Sequence, residues 1–147
     1  MKRTFELCVA SRMENLTAVS DFITATAREL GLDEGQTFAL QVAVDEACAN
    51  VIEHAYGGRT DGTVRVTCQL ASQEVIVRVY DHGRSFDPES VPPPDPTAPL
   101  DEQEDRALGL YLMGKLMDSV EFDFDAVQGN VLTMRKRRHN GSPSLNP

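Results

Sequence analysis

Proline divides this chain. Six of its eight prolines fall within Asp87-Pro-Glu-Ser-Val-Pro-Pro-Pro-Asp-Pro-Thr-Ala-Pro99. Proline fixes φ and has no backbone N–H, so this stretch cannot be a helix interior or a paired strand. The acidic run Asp101-Glu102-Gln103-Glu104-Asp105 follows directly. Together they predict a long loop over residues 84–106. Loops of that length inside a small domain are usually functional lids or unstructured segments.

The segments on either side must therefore supply the core. The 147 residues suit one domain with one core, and a hydrophobic content of 41% is enough to pack it. Thr4 to Ala10 alternates and predicts a strand. From Met13 to Leu30 the apolar positions follow helical spacing, with Gly31 as the stop. Asp33 or Glu34 opens a second helix that runs to Gly57-Gly58. Thr63 to Leu70 and Glu74 to Tyr80 alternate around the short link Ala71-Ser72-Gln73, the pattern of a hairpin. Beyond the loop, a helix from Ala107 to Met117 precedes two strands, Ser119 to Phe124 and Asn130 to Arg137. Paired strands beside segregated helices predict an α+β fold with a mixed, mainly antiparallel sheet and helices on one face. The domain spans residues 1–138, and the tail 139–147 is expected to be disordered.

The formal net charge of -9 argues against tracking a nucleic-acid backbone, which needs an excess of Lys and Arg. Cys8, Cys48 and Cys68 are odd in number and lack metal-ligand spacing, which predicts reduced thiols in a cytoplasmic protein. Neither a leader segment nor a membrane-spanning apolar run is expected. The basic cluster Arg135-Lys136-Arg137-Arg138 reads as a solvated strand end.

Three features can carry chemistry. On the second helix, Glu46, Asn50 and His54 stand at i, i+4 and i+8, along one face. The amide oxygen of Asn50 suits Mg²⁺, a hard ion that prefers oxygen ligands. Glu46 suits the role of a base toward a hydroxyl or water. His54, at the helix end, suits the capping of carbonyls. Spacing alone leaves open a solvated polar stripe or a helix–helix hydrogen-bond seam. The second feature is Asp81-His82-Gly83 at the end of an apolar strand. A carboxylate there can accept from an exocyclic amine such as that of adenine, while Gly83 admits close backbone approach. An ordinary Asp-x-Gly turn has the same signature. The third is Leu108-Gly109-Leu110 at a helix start, where free N–H groups can receive phosphate.

Their order is more specific than any one of them. Asp45-Glu46-Ala47-Cys48-Ala49-Asn50 through His54-Ala55-Tyr56, then Asp81-x-Gly83, a lid, and Leu112-Met113-Gly114-Lys115-Leu116-Met117-Asp118 resembles the ATPase superfamily of gyrase, the heat-shock chaperone and histidine kinases. The match is closest to the anti-sigma-factor serine/threonine kinases and runs from about Phe5 to Arg137. The resemblance implies a two-layer α/β sandwich that binds ATP and Mg²⁺. It implies Glu46 as general base, Asn50 as metal ligand, Asp81 and Gly83 at the adenine, and Gly109 with Arg106 at the phosphates. It further implies transfer to a serine or threonine of an anti-anti-sigma protein, a sigma factor as second partner, and a homodimer.

The chain departs from the family pattern at Ser85 and at Ala107, where glycines are usual, and in its acidic lid. The alternative reading is a partner-switching binding module with a weakened nucleotide site. The ATPase half of a histidine kinase fits less well, since no long two-helix segment with a phosphoacceptor histidine precedes the domain.

Overall fold

The computed structural model describes residues 4–85, 87–90, 93, 97 and 105–139. Among these residues, three helices cover one face of a five-stranded sheet. The strands are β1 (Thr4–Ala10), β2 (Thr63–Ala71), β3 (Glu74–Asp81), β4 (Ser119–Asp125) and β5 (Gly129–Arg137). Their spatial order is β1-β2-β3-β5-β4, and all the pairings are antiparallel. The helices are α1 (Leu16–Glu29), α2 (Glu34–Asn50) and α3 (Asp105–Leu116). This is the two-layer α+β sandwich that the pattern of elements implied.

Alternation builds the core. Val64, Val66 and Cys68 of β2, Val75, Val77 and Val79 of β3, and Leu132 and Met134 of β5 are all buried toward the helices. Register aligns them in rows, with Val66 opposite Val79, Cys68 opposite Val77, and Val77 opposite Met134. Val19, Ile23 and Ala27 of α1, Leu40, Val44 and Ala47 of α2, and Met113 of α3 close the layer. Each fully buried aliphatic side chain stabilises the fold by roughly 1.5–3 kcal/mol.

Asp33 caps α2 in a reciprocal box. Its Oδ1 accepts the Gln36 N–H at 2.7 Å, and Gln36 Oε1 accepts the Asp33 N–H at 3.0 Å. Gln36 Nε2 also donates to the Arg137 carbonyl at 2.7 Å, tying the helix start to the end of β5.

Several boundaries differ from expectation. Met13–Asn15 forms a 3-10 turn ahead of α1. The α-helical part of α2 stops at Asn50, and Val51–Ala55 continues as a π-helical turn. The Tyr56 N–H reaches back to the Val51 carbonyl at 2.9 Å, and the Gly58 N–H to Ile52 at 3.0 Å. The wider turn carries Tyr56 inward, where its hydroxyl donates to the Thr63 carbonyl at 2.7 Å. The β2–β3 link is a two-residue turn, since Ala71 pairs within the sheet and Ser72 takes a positive φ of 59°.

The loop contains a short 3-10 turn at Pro88–Ser90, and α3 already begins at Asp105. Most of the proline-rich and acidic stretch lies outside the described residues, as do residues 140–147 of the tail. His139 is described and places Nδ1 3.2 Å from Asp33 Oδ2. The basic cluster is absorbed locally. Arg135 faces Glu121 at 3.7 Å, Lys136 Nζ donates to the Leu116 carbonyl at 2.7 Å, and Arg138 reaches Gln73 Oε1 at 3.2 Å. Among the described residues, no helix is long and apolar enough to cross a membrane.

Candidate functional site

Asp81 is the last residue of β3 and shares the inward parity of Val75, Val77 and Val79. The core pattern therefore carries a carboxylate into the sandwich, where it is 5% exposed. Burial of a carboxylate demands compensation. Asp81 Oδ1 accepts the Gly83 N–H and Asn130 Nδ2, each at 2.8 Å. Desolvation still holds the Asp81 pKa above its ordinary value, opposed by these bonds to Asn130 and Gly83 and by the nearby His82.

Asn130 is the direct cross-strand partner of Asp81 on β5. Its Nδ2 also donates to the Gly83 carbonyl at 3.1 Å, and its Oδ1 accepts Ser85 Oγ at 2.7 Å. Gly129 enters β5 with a φ of +85°, and a side chain there would collide with the Asp81 carbonyl. Gly83 lies against the backbone carbonyl of Ala55, with no room for a Cβ, and the Arg84 N–H donates to that carbonyl at 2.8 Å. A cavity of about 280 Å³ opens beside these groups. Asp81, Ser85 and Asn130 line it together with Ala55, and Phe122 and Leu132 supply apolar wall.

A second, smaller cavity of about 30 Å³ lies along α2. Glu46, Asn50 and His54 line it together, with Gly109 and Met113 of α3 opposite. The polar stripe read from the sequence therefore faces a cleft between helices. His54 lies in the π-helical turn and joins that cleft; the carbonyls of Val51, Ile52 and Ala55 are instead taken by backbone N–H groups. Gly109 is tight against the stripe, since a Cβ there would lie 2.7 Å from Glu46 Oε1. Ala107 is buried in the first turn of α3. Arg106 lies in that same turn, and its side chain falls outside the described residues. Asp45, beside Glu46, is pushed up to about 6, first by desolvation and then by the Glu46 charge, against a hydrogen bond with Gln41.

The structure thus groups Glu46, Asn50 and Gly109 at one cleft and Asp81 with Gly83 at the other. The C-terminal turn of α2 joins them through Ala55. Sequence reasoning missed Asn130 and Gly129. Asn130 shares the inward parity of Leu132 and Met134, which was a usable signal, but its partner on β3 is not readable from the sequence.

Residues 9–136 match the family model described as the histidine kinase-like ATPase domain. A serine-protein kinase RsbW from Halalkalibacterium halodurans is 34% identical over 137 residues, covering 90% of this chain and 82% of that protein. The serine-protein kinase RsbW of Bacillus subtilis is 31% identical over 119 residues, covering 78% and 74%. A solved structure of the RsbU and RsbW domains of a Mycobacterium tuberculosis protein superposes with a TM-score of 0.67 at 18% identity. It covers 92% of this chain, which spans only 32% of that longer chain, and it bears on the fold alone. The two clefts joined by the end of α2 are thus found in a chain whose sequence matches one family over nearly its whole length: it belongs to the histidine kinase-like ATPase domain family.

Proposed function

We propose that this protein transfers the γ-phosphate of ATP to a serine or threonine of an anti-anti-sigma protein and, as a homodimer, sequesters a sigma factor. One observation carries the reading. The helix that bears Glu46 and Asn50 ends in the turn that forms the wall of the Asp81 cavity. A single element thus links a base-reading carboxylate to a metal-ligand and general-base pair. The kinase names of the bacterial relatives support the same assignment.

The residues fit the ligand. Among the described residues the bonds that hold Asp81 fall on Oδ1, which leaves the second oxygen for an adenine amine. Phe122 and Leu132 offer apolar wall to a flat base. The carboxamide oxygen of Asn50 suits Mg²⁺, which when bound neutralises charge on the phosphates. Gly109 brings the α3 backbone close to the phosphate end, with Arg106 one turn earlier. Glu46 accepts the proton of the substrate hydroxyl as its oxygen bonds to the γ-phosphorus. The bond from that phosphorus to the β,γ-bridging oxygen breaks, and ADP leaves. Little covalent work falls to the protein, so position and charge dominate.

The test is transfer of labelled phosphate from ATP to a cognate anti-anti-sigma protein. Glu46→Ala is expected to abolish transfer while retaining ATP binding. Undiminished transfer in that variant would overturn the base assignment. The alternative of a module with a weakened nucleotide site rested on Ser85 and Ala107. Ser85 holds Asn130 in place and Ala107 is packed, which supports an intact site. Calorimetry separates the two readings, since the weakened module predicts no measurable ATP binding.

A further inference from the structure

Ser85 stands where the family pattern has a glycine, and among the described residues its hydroxyl is committed to a single side chain. Ser85 Oγ donates to Asn130 Oδ1 at 2.7 Å. The amide group of Asn130 donates in turn to Asp81 Oδ1 at 2.8 Å and to the Gly83 carbonyl at 3.1 Å. Turning that amide over would set its oxygen against a carboxylate and a carbonyl, neither of which can donate. One orientation therefore satisfies all three neighbours.

We propose that Ser85 and Asn130 form a positioning pair that holds Asp81 as a fixed acceptor and thereby sets the preference for a 6-amino over a 6-oxo purine nucleotide. The inference rests on the proposed reading of this cavity as the base-binding site. Both side chains line that cavity with Asp81. With Oδ1 engaged by Gly83 and Asn130, the plane of the carboxylate is fixed, and the other oxygen accepts from the ligand. An ionised acceptor in a fixed place attracts an amine and repels a carbonyl oxygen. A carboxylate free to rotate, or one that takes up a proton and becomes a donor, discriminates less. Asn130 keeps Asp81 an acceptor by donating to it; Ser85 keeps Asn130 turned the right way.

The experiment is calorimetric titration of ATP and GTP, each with Mg²⁺, into wild type, Ser85→Gly, Ser85→Thr, Asn130→Ala and the Ser85→Gly/Asn130→Ala double variant. Wild type is expected to prefer ATP. Ser85→Gly is expected to weaken ATP by about threefold to tenfold, the range for losing one side-chain hydrogen bond that orients the acceptor, with GTP little changed. Ser85→Thr, which keeps the hydroxyl, is expected to restore the preference. The double variant is expected to be no worse than Asn130→Ala alone, because the two residues act as one device. An equal loss for both nucleotides, or additive losses in the double variant, would overturn the positioning pair while leaving the nucleotide reading intact. A wild type that binds neither nucleotide would overturn both.

Discussion

The phenolic oxygen of Tyr56 accepts the backbone N–H of His82 at 2.9 Å. The same hydroxyl donates to the Thr63 carbonyl at the start of β2, so one atom fastens the end of α2 to β2 and to the residue just past β3. His82 follows Asp81 directly, and the bond therefore fixes where β3 stops.

Tyr56→Phe removes that acceptor and leaves the His82 N–H without it in a part-buried position. The expected loss is about 1–3 kcal/mol of stability, or a fall in Tm of roughly 2–4 °C per kcal/mol for a domain of this size. Thermal melting reads the first effect and ATP titration the second, which should show weaker binding. An unchanged Tm with unchanged affinity would show that the hydroxyl does not fasten the site.

Gly109→Ala separates activity from stability. The added methyl meets Glu46 Oε1 at 2.7 Å, and that carboxylate is the end of a flexible side chain that can swing away. Alanine also favours a helix over glycine by roughly 0.8–1.0 kcal/mol. The expectation is a Tm equal to or above wild type; on the proposed reading of Glu46 as base, phosphoryl transfer falls tenfold or more, since a displaced base is out of reach. Transfer at the wild-type rate would mean that Glu46 works from elsewhere.

Asp45 predicts a pH dependence of stability. Its carboxyl is raised from 3.8 to about 6 in the folded state, chiefly by desolvation, and its Oδ1 is buried without a hydrogen-bond partner among the described residues. The folded protein then holds the Asp45 proton more tightly than the unfolded chain. The favourable contribution is complete below 3.8, falls as pH rises from 3.8 to about 6, and is constant above that. Asp45→Asn lacks the charge, so its advantage over wild type should grow across that window and then level off. Chemical denaturation at a series of pH values measures it; a difference that does not vary with pH would contradict the argument.

The thiols should divide sharply. Burial pushes Cys48 and Cys68 up to about 12, so neither forms a thiolate near neutrality. Cys8 is exposed on the edge strand β1. A thiol reagent is expected to modify one cysteine per native chain and three after denaturation, counted by mass spectrometry. Rapid labelling of Cys48 or Cys68 in the native protein would reveal opening of the core.

Wherever the signal was local, the sequence announced the structure. Alternation marked β2 and β3, Asp33 or Glu34 marked the start of α2, and spacing put Glu46 and Asn50 on one face. The contribution of Asn130 depends on β3 and β5 pairing across an intervening proline-rich segment, helix and strand, which no window of sequence contains. The π-helical turn seats Tyr56 on partners that lie on β2 and just past β3, which the sequence around it does not contain. The backbone demand at Gly129 arises only once Asp81 is beside it.

The contact between Ala55 and the Gly83–Arg84 backbone has a metric consequence. It pins one end of a ruler whose shaft is α2 and whose far marks are Asn50 and Glu46. The span from the Asp81 cavity to that pair is then set by the helical rise between Glu46 and Ala55 and by the Arg84–Ala55 hydrogen bond, not by the ligand. On the proposed reading, a nucleoside fills one end and leaves the other unmet, and only a ligand of triphosphate reach closes the measurement.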